Sequence, residues 1–270
     1  MTDTPFPQFT SDADPGPSFL GLLRRVAPHD VIGAGGSGAG SNPETIHGTT
    51  VVALRFADGV VMTGDRRATS GYQIAQRRIE KVYPADARSG IAIAGAAGPA
   101  IEMVRLFQVQ LEHYEKIEGG PLSLEGKANQ LSQIVRANLG AAMQGFIVIP
   151  LFAGYDERRG RGRVFSFDVT GGKYEEIDFQ ANGSGGVHAR NWVKASWRED
   201  LTRDEAIDLA LRAIFAAADE DTATGGADLA RGIFPSLAVI EASGYRDLED
   251  GEIAPRAQRL IPGREEGSGL

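Results

Sequence analysis

Cysteine is absent from the 270 residues of the chain, and histidine occurs only four times. Without cysteine the protein has no disulfide bonds, no thiolate metal sites and no cysteine nucleophile. The histidines are scattered and form no H-x-x-x-H pair, which argues against a zinc site. They are His29, His47, His113 and His188. We therefore expect neither a metal nor a cofactor.

Long apolar runs and an excess of positive charge are missing as well. The longest apolar stretches have the length of a strand, far below the ~20 residues that a membrane span needs. Residues 1–30 contain no basic region followed by an apolar one, so no secretory signal is visible. The net charge of −8 argues against a nucleic-acid binder, which would carry a basic stripe. We expect a cytoplasmic globular protein that binds neither nucleic acid nor membrane.

The first 48 residues have the composition of a flexible leader. They contain six prolines and the glycine-rich run "GAGGSGAGSNP". Within this run, Gly33, Gly35 and Gly38 form the motif G-x-G-x-x-G, which in dinucleotide-binding proteins opens a helix. Here "AGSNPET" follows and cannot begin such a helix, so we interpret the motif as part of a linker.

From Thr49 onward the sequence predicts two β-hairpins. The segment "TTVVALRF" is apolar on both faces, as in a strand that is covered on both sides. The Asp-Gly turn signal after it predicts a hairpin with "VVMTGD", and a second hairpin joins "RRIEKVY" to "IAIAGAAG". With turns centred on Asp58–Gly59 and near Ala87, partner numbers add to about 117 and about 174, so Thr49 would face about Ala68.

These registers direct four candidate residues toward one another. Asp65 and Arg67 would lie alongside Thr49, and Lys81 would face Ile93, two residues from Gly95. If the hairpins pack side by side, Thr49, Asp65, Lys81 and Gly95 can meet in one place.

Each of the four residues also has an ordinary interpretation. Lys81 alternates with Ile79 and Tyr83 along one strand face, where a buried lysine would need a partner. It could instead be a surface lysine whose stem covers apolar area. Asp65 could be a turn residue, Gly95 a strand-to-helix joint, and Thr49 an ordinary β-branched strand residue.

The remaining elements predict one domain over residues 49–244. Two helices follow the hairpins, the second with Ser123 as its N-cap. Three strands come next, in "FIVIPLFAGYD", "GRVFSFDVTG" and "YEEIDFQANG". Two more helices follow, the second with a capping box of Thr202 and Glu205, and "SLAVIEA" is the last strand. The tail, residues 245–270, is predicted to be loose. This order predicts an α+β fold with two sheets and helices packed outside them.

Several separated motifs resemble those of catalytic β-subunits of the bacterial, actinobacterial-type 20S proteasome. The motifs are "HGTTVVALRFADGVVMTGDRRAT", "RRIEKVYP", "IAIAGAAGPA" and "DTATGG". The resemblance runs from about Thr45 to Tyr245. It implies an N-terminal-nucleophile hydrolase fold, a four-layer αββα sandwich of two antiparallel sheets flanked by helices. The simpler two-layer bacterial protease ring also starts Thr-Thr, but its second strand resembles Gly-Asp-Gly-Gln where this chain has "GDRRAT".

The resemblance implies that residues 1–48 are a propeptide. Thr49 would attack the Gly48 carbonyl, release the leader and become both the N-terminus and the nucleophile of a threonine endopeptidase. A free α-amino group has a pKa of about 7.7–8.0, close to ideal for a general base at neutral pH. Only an N-terminal threonine carries this base on itself.

The same resemblance assigns roles to the residues around Thr49. Lys81, paired to Asp65, would favour deprotonation of the hydroxyl, and the N–H of Gly95 would be the oxyanion-hole donor. Three further residues match positions that orient the amine, although the family often has serine at the last of them. They are Ser184, Asp221 and Thr224.

The resemblance also implies a substrate pocket and a set of partners. The pocket residues Ala68, Ile79, Ile93 and Ala97 are apolar, so we expect cleavage of unfolded proteins after apolar residues. Thr69 would pair with the substrate backbone as an added strand. The implied partners are other β-subunits in a seven-membered ring, α-type subunits, a ring ATPase or other activator that delivers tagged substrates, and the substrate proteins.

Two alternatives and one question of packing stay open. The chain could be a non-catalytic ring subunit of the same fold, or a different N-terminal-nucleophile amidase that acts on small molecules. Residues 104–111 and the tryptophans Trp192 and Trp197 are candidates for contacts with neighbouring subunits, but both tryptophans could equally belong to the core.

Overall fold

The computed structural model describes residues 48–261, which form twelve strands and six helices. The strands are β1 (Thr50–Phe56), β2 (Gly59–Gly64), β3 (Ala68–Ser70), β4 (Gln73–Gln76), β5 (Val82–Asp86), β6 (Ser89–Gly95), β7 (Val148–Asp156), β8 (Arg161–Phe167), β9 (Lys173–Glu176), β10 (Phe179–Gly183), β11 (Ser236–Glu241) and β12 (Gly244–Asp247). The helices are α1 (Ala97–Glu118), α2 (Leu124–Ala137), α3 (Leu139–Ala142), α4 (Gly186–Ser196), α5 (Arg203–Glu220) and α6 (Asp250–Leu260).

The strands form two five-stranded antiparallel sheets that face each other. One has the order β10-β1-β2-β11-β12 and the other β5-β6-β7-β8-β9, while β3 and β4 pair separately. Val51 and Ala53 of β1 belong to the apolar cluster between the sheets, and Val52 and Leu54 belong to the cluster under α4, α5 and α6. A third cluster lies between the second sheet and helices α1 and α2. The predicted α+β sandwich of helix, sheet, sheet and helix layers is confirmed, and it explains why β1 is apolar on both faces.

The two predicted hairpins form, one with the predicted register and one shifted. In the second hairpin, Val82 pairs with Ala92, so partner numbers add to 174 as expected. In the first, Phe56 pairs with Gly59 and the numbers add to 115 rather than 117, so the expected pairing of Thr49 with Ala68 is wrong. Gly59 is the first strand residue rather than part of the turn. It also pairs with Glu241 of β11, and a Cβ there would lie 2.2 Å from the Ile240 carbonyl oxygen.

The sequence interpretation is wrong at several elements. The structure contains the hairpin of β3 and β4, which the sequence analysis did not predict. The segment "YEEIDFQANG" forms two strands, β9 and β10, which lie in different sheets. The tail predicted to be loose instead forms β12 and α6, and α6 buries Ile253, Ala257 and Leu260 at helical spacing. The leader, residues 1–47, and residues 262–270 lie outside the described residues.

The predicted helix caps form, and the two tryptophans differ in their surroundings. Ser123 caps α2, and Thr202 and Glu205 form the predicted capping box of α5. Trp197 packs on Phe179 and donates its indole N–H to the Arg55 carbonyl at 2.9 Å, whereas Trp192 is 43% exposed. Within residues 48–261, no helix is both long enough and apolar enough to cross a membrane.

Candidate active site

The candidate residues come from the ends of strands in both sheets. Thr49 precedes β1 and Asp65 follows β2 in the first sheet, whereas Lys81 precedes β5 and Gly95 ends β6 in the second. Because the sheets face each other, these ends converge, and Thr49, Lys81 and Gly95 line one small cavity together with Gly48. The predicted meeting of the hairpins therefore takes place, although the register of the first differs.

Lys81 is a buried cation whose three protons all have acceptors. Its Nζ lies 2.6 Å from Asp65 Oδ1, 2.6 Å from the Arg67 carbonyl oxygen and 3.1 Å from the Gly48 carbonyl oxygen. The residue is 3% exposed, so its interpretation as a surface lysine is wrong. Burial lowers the pKa of Lys81, and this effect outweighs the opposing charge of Asp65.

Asp65 is fully buried and saturated with hydrogen bonds. Oδ1 accepts the Thr50 N–H at 2.7 Å as well as the Lys81 ammonium, and Oδ2 accepts the N–H groups of Arg67 at 2.8 Å and Gly225 at 2.9 Å. Four donors around one carboxylate hold its position and orientation. The interpretation of Asp65 as a simple turn residue is therefore wrong, because its carboxylate connects Lys81 to the backbone at Thr50, Arg67 and Gly225.

The peptide bond between Gly48 and Thr49 is intact, and its carbonyl receives two donors. The Thr49 hydroxyl donates to the Gly48 oxygen at 2.6 Å, and Lys81 donates at 3.1 Å. Gly48 has a φ of +137°, and a Cβ there would lie 2.5 Å from Thr69 Oγ1 and 2.8 Å from the Ala223 Cβ. Only glycine fits this position, both for its backbone conformation and for its space.

Gly95 is a second position that requires glycine. Its φ is +121°, and a Cβ would lie 2.0 Å from the Ile147 carbonyl oxygen. The backbone of β6 therefore passes close to the loop before β7 while it lines the cavity beside Thr49.

A second polar group stands on the other side of Thr49. Asp221 Oδ2 accepts the hydroxyl protons of Ser184 at 2.5 Å and Thr224 at 2.6 Å, and Oδ1 accepts the Ala223 N–H at 3.0 Å. The Thr49 N–H points to Ser184 Oγ at 3.5 Å. Burial on its own would raise the pKa of Asp221, but these hydrogen bonds together lower it, so the carboxylate is ionised.

Thr50 escaped the sequence interpretation, which placed Arg67 alongside Thr49 but gave it no role. The Arg67 guanidinium donates to the carbonyls of Thr222 at 2.8 Å and Thr224 at 3.1 Å, which ties the loop after α5 to β2. Thr50 is fully buried, and its hydroxyl lies 2.7 Å from Thr224 Oγ1. A signal existed for Thr50, because it shares a strand face with Val52, and a polar side chain on a buried face needs partners.

The four predicted pocket residues line the same cavity as Thr49. Three further residues line it, and the sequence interpretation missed them: Glu80, Ala100 and Ile101. Ala97, Ala100 and Ile101 share one face of α1 by their spacing, which was an available signal. Thr69 does not line this cavity but approaches Gly48. Burial raises the pKa of Glu80, against the opposing effect of its ion-pair partner Arg66.

Metal-ligating side chains do not gather at this site. Across residues 48–261, no group of three or more histidine, cysteine, aspartate or glutamate side chains lies close enough to hold an ion.

Comparison with known proteins identifies the family. The model of the family described as "Proteasome subunit" matches residues 45–229. The chain belongs to the proteasome subunit family. It is 56% identical to "Proteasome subunit beta" of Acidimicrobium ferrooxidans over 94% of this chain and 92% of the relative. It is 55% identical to the protein of the same name from Streptomyces griseus, over 82% and 79%, and 49% identical to that of Frankia casuarinae, over 93% and 92%.

Membership of the proteasome subunit family confirms the resemblance drawn from the motifs. The relatives are β-subunits of actinobacterial proteasomes, so the coarse activity of the chain is that of a peptidase of the proteasome core. The alternative of a small-molecule amidase from another family is wrong.

Proposed function

We propose that this chain is a threonine endopeptidase subunit that activates itself by cleavage between Gly48 and Thr49. Thr49 then attacks peptide carbonyls with its hydroxyl, and its own α-amino group accepts the proton, directly or through a water. The arrangement that carries this proposal is the Gly48 carbonyl, which receives hydrogen bonds from both the Thr49 hydroxyl and Lys81.

Self-cleavage uses the same groups. Thr49 Oγ bonds to the Gly48 carbonyl carbon, the peptide C–N bond breaks, and the hydroxyl proton passes to the Thr49 nitrogen. Water then hydrolyses the resulting ester, which leaves a carboxylate on Gly48 and a free amine on Thr49. Lys81 draws electron density from the carbonyl that is attacked, since its ammonium lies 3.1 Å from that oxygen.

In the mature subunit, each neighbour of Thr49 has a distinct role. The buried Lys81 and Asp65 pair supplies a fixed positive charge that favours the alkoxide of Thr49. The Gly95 N–H is the oxyanion-hole donor. Ser184 and Asp221, together with Thr224, hold the amine.

The walls of the cavity support a preference for apolar side chains. Ala68, Ile93, Ala97 and Ile101 offer apolar surface beside the nucleophile, and Thr69 binds the substrate backbone as an added strand. Glu80 is the exception, and its partner Arg66 compensates its charge. The subunit works in a ring with other β-subunits and with α-type subunits, inside which unfolded proteins from an activator are degraded.

Sequencing of the N-terminus tests the proposal. Wild-type protein co-assembled with its α-type partner should start Thr-Thr-Val-Val, and Thr49→Ala should retain the leader, since no hydroxyl is left to attack. Thr63→Ala is the matched control, because Thr63 is buried in β2 and its hydroxyl donates to the Ser236 carbonyl, outside the site. Active particles that start elsewhere, or that keep the leader, would refute self-cleavage at Gly48–Thr49, and inactive wild-type particles that keep the leader would favour a non-catalytic subunit.

A further inference from the structure

Thr50 connects the two polar groups that flank Thr49. Its backbone N–H donates to Asp65 Oδ1 at 2.7 Å, and its carbonyl accepts the Asp65 N–H at 3.0 Å. Its hydroxyl turns the other way, toward Thr224 Oγ1 at 2.7 Å and the Gly185 N–H at 3.1 Å. The residue has no exposed surface, so these contacts are shielded from water.

The direction of the hydroxyl hydrogen bonds follows from counting protons. A threonine hydroxyl has one proton to donate. Thr224 gives its proton to the ionised Asp221 at 2.6 Å, so in its contact with Thr50 it must be the acceptor. The chain of donors therefore runs from the Gly185 N–H to Thr50, from Thr50 to Thr224, and from Thr224 to Asp221.

The chain of donors determines how Ser184 faces the nucleophile. Ser184 also has one hydroxyl proton, and it donates that proton to Asp221 at 2.5 Å rather than to the Thr49 carbonyl at 3.4 Å. The lone pairs of Ser184 Oγ are thereby left for the Thr49 nitrogen, 3.5 Å away. The Ala223 N–H holds Asp221 Oδ1, and Thr224 holds Oδ2, the oxygen that also accepts the Ser184 proton, so the position of this oxygen depends on the Thr224 side.

We propose that Thr50 is a positioning residue for the catalytic amine. Its hydroxyl fixes Thr224 and the backbone at Gly185, and through them it holds Asp221 and Ser184 against the Thr49 nitrogen. This inference rests on the proposed role of Thr49 as an N-terminal nucleophile. Space is closed around the contact, since a Cβ on Gly185 would lie 2.5 Å from Thr50 Oγ1 and 2.7 Å from Thr224 Oγ1.

Loss of the hydroxyl should change the titration of the amine in a definite direction. A hydrogen-bond acceptor stabilises the charged ammonium form and so raises the pKa of an amine. If Ser184 is displaced, this stabilisation is lost and the pKa of the Thr49 amine falls. The charged groups around this amine are Asp65, Lys81 and Arg67 on the strand side, Asp221 after α5, and Glu80, which lines the same cavity as Thr49. His188 on α4 acts on Asp221 by its charge. A substitution at Thr50 removes none of these charges, and a displacement of Asp221 away from the amine would lower the pKa of the amine in the same direction.

The test is the pH profile of peptide hydrolysis by Thr50→Val and Thr50→Ser particles assembled with the α-type partner. Valine has the shape of threonine without the hydroxyl. We expect its kcat to fall roughly three- to tenfold and its acid limb to move down by roughly half to one pH unit, as for the loss of one hydrogen bond. Thr50→Ser should restore both, and KM should stay unchanged. Thr63→Val controls for the loss of a buried hydroxyl elsewhere and should keep the wild-type profile.

Thr224→Val provides a second route if Thr50→Val does not mature, because it interrupts the same chain one step later and predicts the same downward shift. In the double variant the two shifts should be less than additive, since both changes break one chain. An acid limb that stays in place in either valine variant, or shifts that simply add, would overturn the positioning role. Failure of wild-type particles to expose Thr49 would instead refute the proposed function.

Discussion

Lys81 is almost completely buried, and each proton of its ammonium has an oxygen acceptor. A buried lysine without partners would be neutral, because burial disfavours the charged form. Here Asp65 compensates the charge, so a cation stands next to the nucleophile where little water screens it. A lysine on the surface would be screened by water and would affect the Thr49 hydroxyl much less.

Replacement of Lys81 should abolish most activity even if the fold survives. We expect Lys81→Ala to reduce kcat by roughly 10²–10³-fold, as for the loss of a preorganised charge. Lys81→Arg should not rescue it, because the larger planar guanidinium cannot meet three acceptors arranged around one nitrogen. Turnover of an apolar fluorogenic peptide is the measurement. Lys127→Ala is the control, since Lys127 is also buried and pairs with Asp86 at 2.5 Å, and neither residue lines the cavity at Thr49. Activity near that of the wild type in either Lys81 variant would contradict the role.

The sequence made Lys81 and Asp65 identifiable, whereas the strand face that Thr50 shares with Val52 indicated only that Thr50 needs a partner, and Glu80 was missed. A charged residue between Ile79 and Tyr83 needs an explanation by itself, and hairpin geometry brings its partner near. Thr50 carries no charge and is a normal strand residue, so its importance depends on Thr224, which is far away in the chain. A hydrogen bond between distant neutral side chains leaves no periodic pattern in a sequence.

At the level of elements, the hairpin prediction succeeded for the second hairpin and failed for the first, whose turn signal contains Gly59. The second hairpin has its predicted register from Val82 to Pro84, and the pairing shifts by one residue at Asp86 and Ser89, next to the turn. The first is shifted because Gly59 serves the close approach of β11, which lies far along the chain. Sequence analysis interprets Asp-Gly as a local turn signal, and it cannot distinguish a glycine chosen for a distant neighbour.

The missed elements share a similar cause. The strands β3 and β4 are short, and β4 is exposed along its length, so neither shows an alternating pattern. Helix α6 lies in a polar segment with Pro255 inside it, and only a narrow stripe of apolar residues reaches the core. Weak patterns of this kind become structure through packing against the rest of the domain.

The capping box of α5 gives a pH-dependent test of one element. Hydrogen bonds from Thr202, and one from Arg198, lower the pKa of Glu205 from 4.5 to about 2. A carboxyl with a lowered folded pKa stabilises the protein above its unfolded pKa and loses this contribution as pH falls toward the folded value. Glu205→Gln keeps the capping geometry without the charge. The variant should be less stable than the wild type above about pH 4.5, and the difference should shrink between about pH 4.5 and 2.

Urea unfolding at pH 7 and pH 4 measures this difference. Glu102→Gln is a suitable control, since Glu102 is an exposed helical glutamate of α1 outside any capping box. A Glu205→Gln deficit that is equal at both pH values would show that the charge contributes nothing to the cap.

At the level of the whole molecule, two exposed apolar surfaces indicate neighbours. On α1, Leu106 and Val109 are 48% and 61% exposed, although Val104 and Leu111 on the same helix are buried. On α4, Trp192 stands at the surface. Closed rings are built from heterologous contacts, in which one face of a subunit meets a different face of the next. These surfaces would be covered in such an assembly.

We therefore expect the isolated subunit to form small species that keep their leader. Mixed with an α-type subunit, it should form a particle of several hundred kilodaltons that hydrolyses short apolar peptides but not folded proteins, because folded chains cannot enter a closed ring. Light scattering together with a fluorogenic peptide assay measures both properties. Val109→Asp should weaken assembly, whereas Glu102→Gln on the same helix should not. Peptidase activity of the isolated monomer would contradict the prediction that the protein is active only in a closed ring.

The sequence distance between the groups around Thr49 has a consequence for timing during synthesis. A ribosome releases Thr49 early, but the carboxylate of Asp65 is held by Gly225, and Asp221 follows α5. A truncated product that ends before these residues carries the threonine without the surroundings that make it reactive. The order of residues in the chain therefore delays reactivity. The nucleophile gains its catalytic surroundings only after nearly the whole domain has been synthesised.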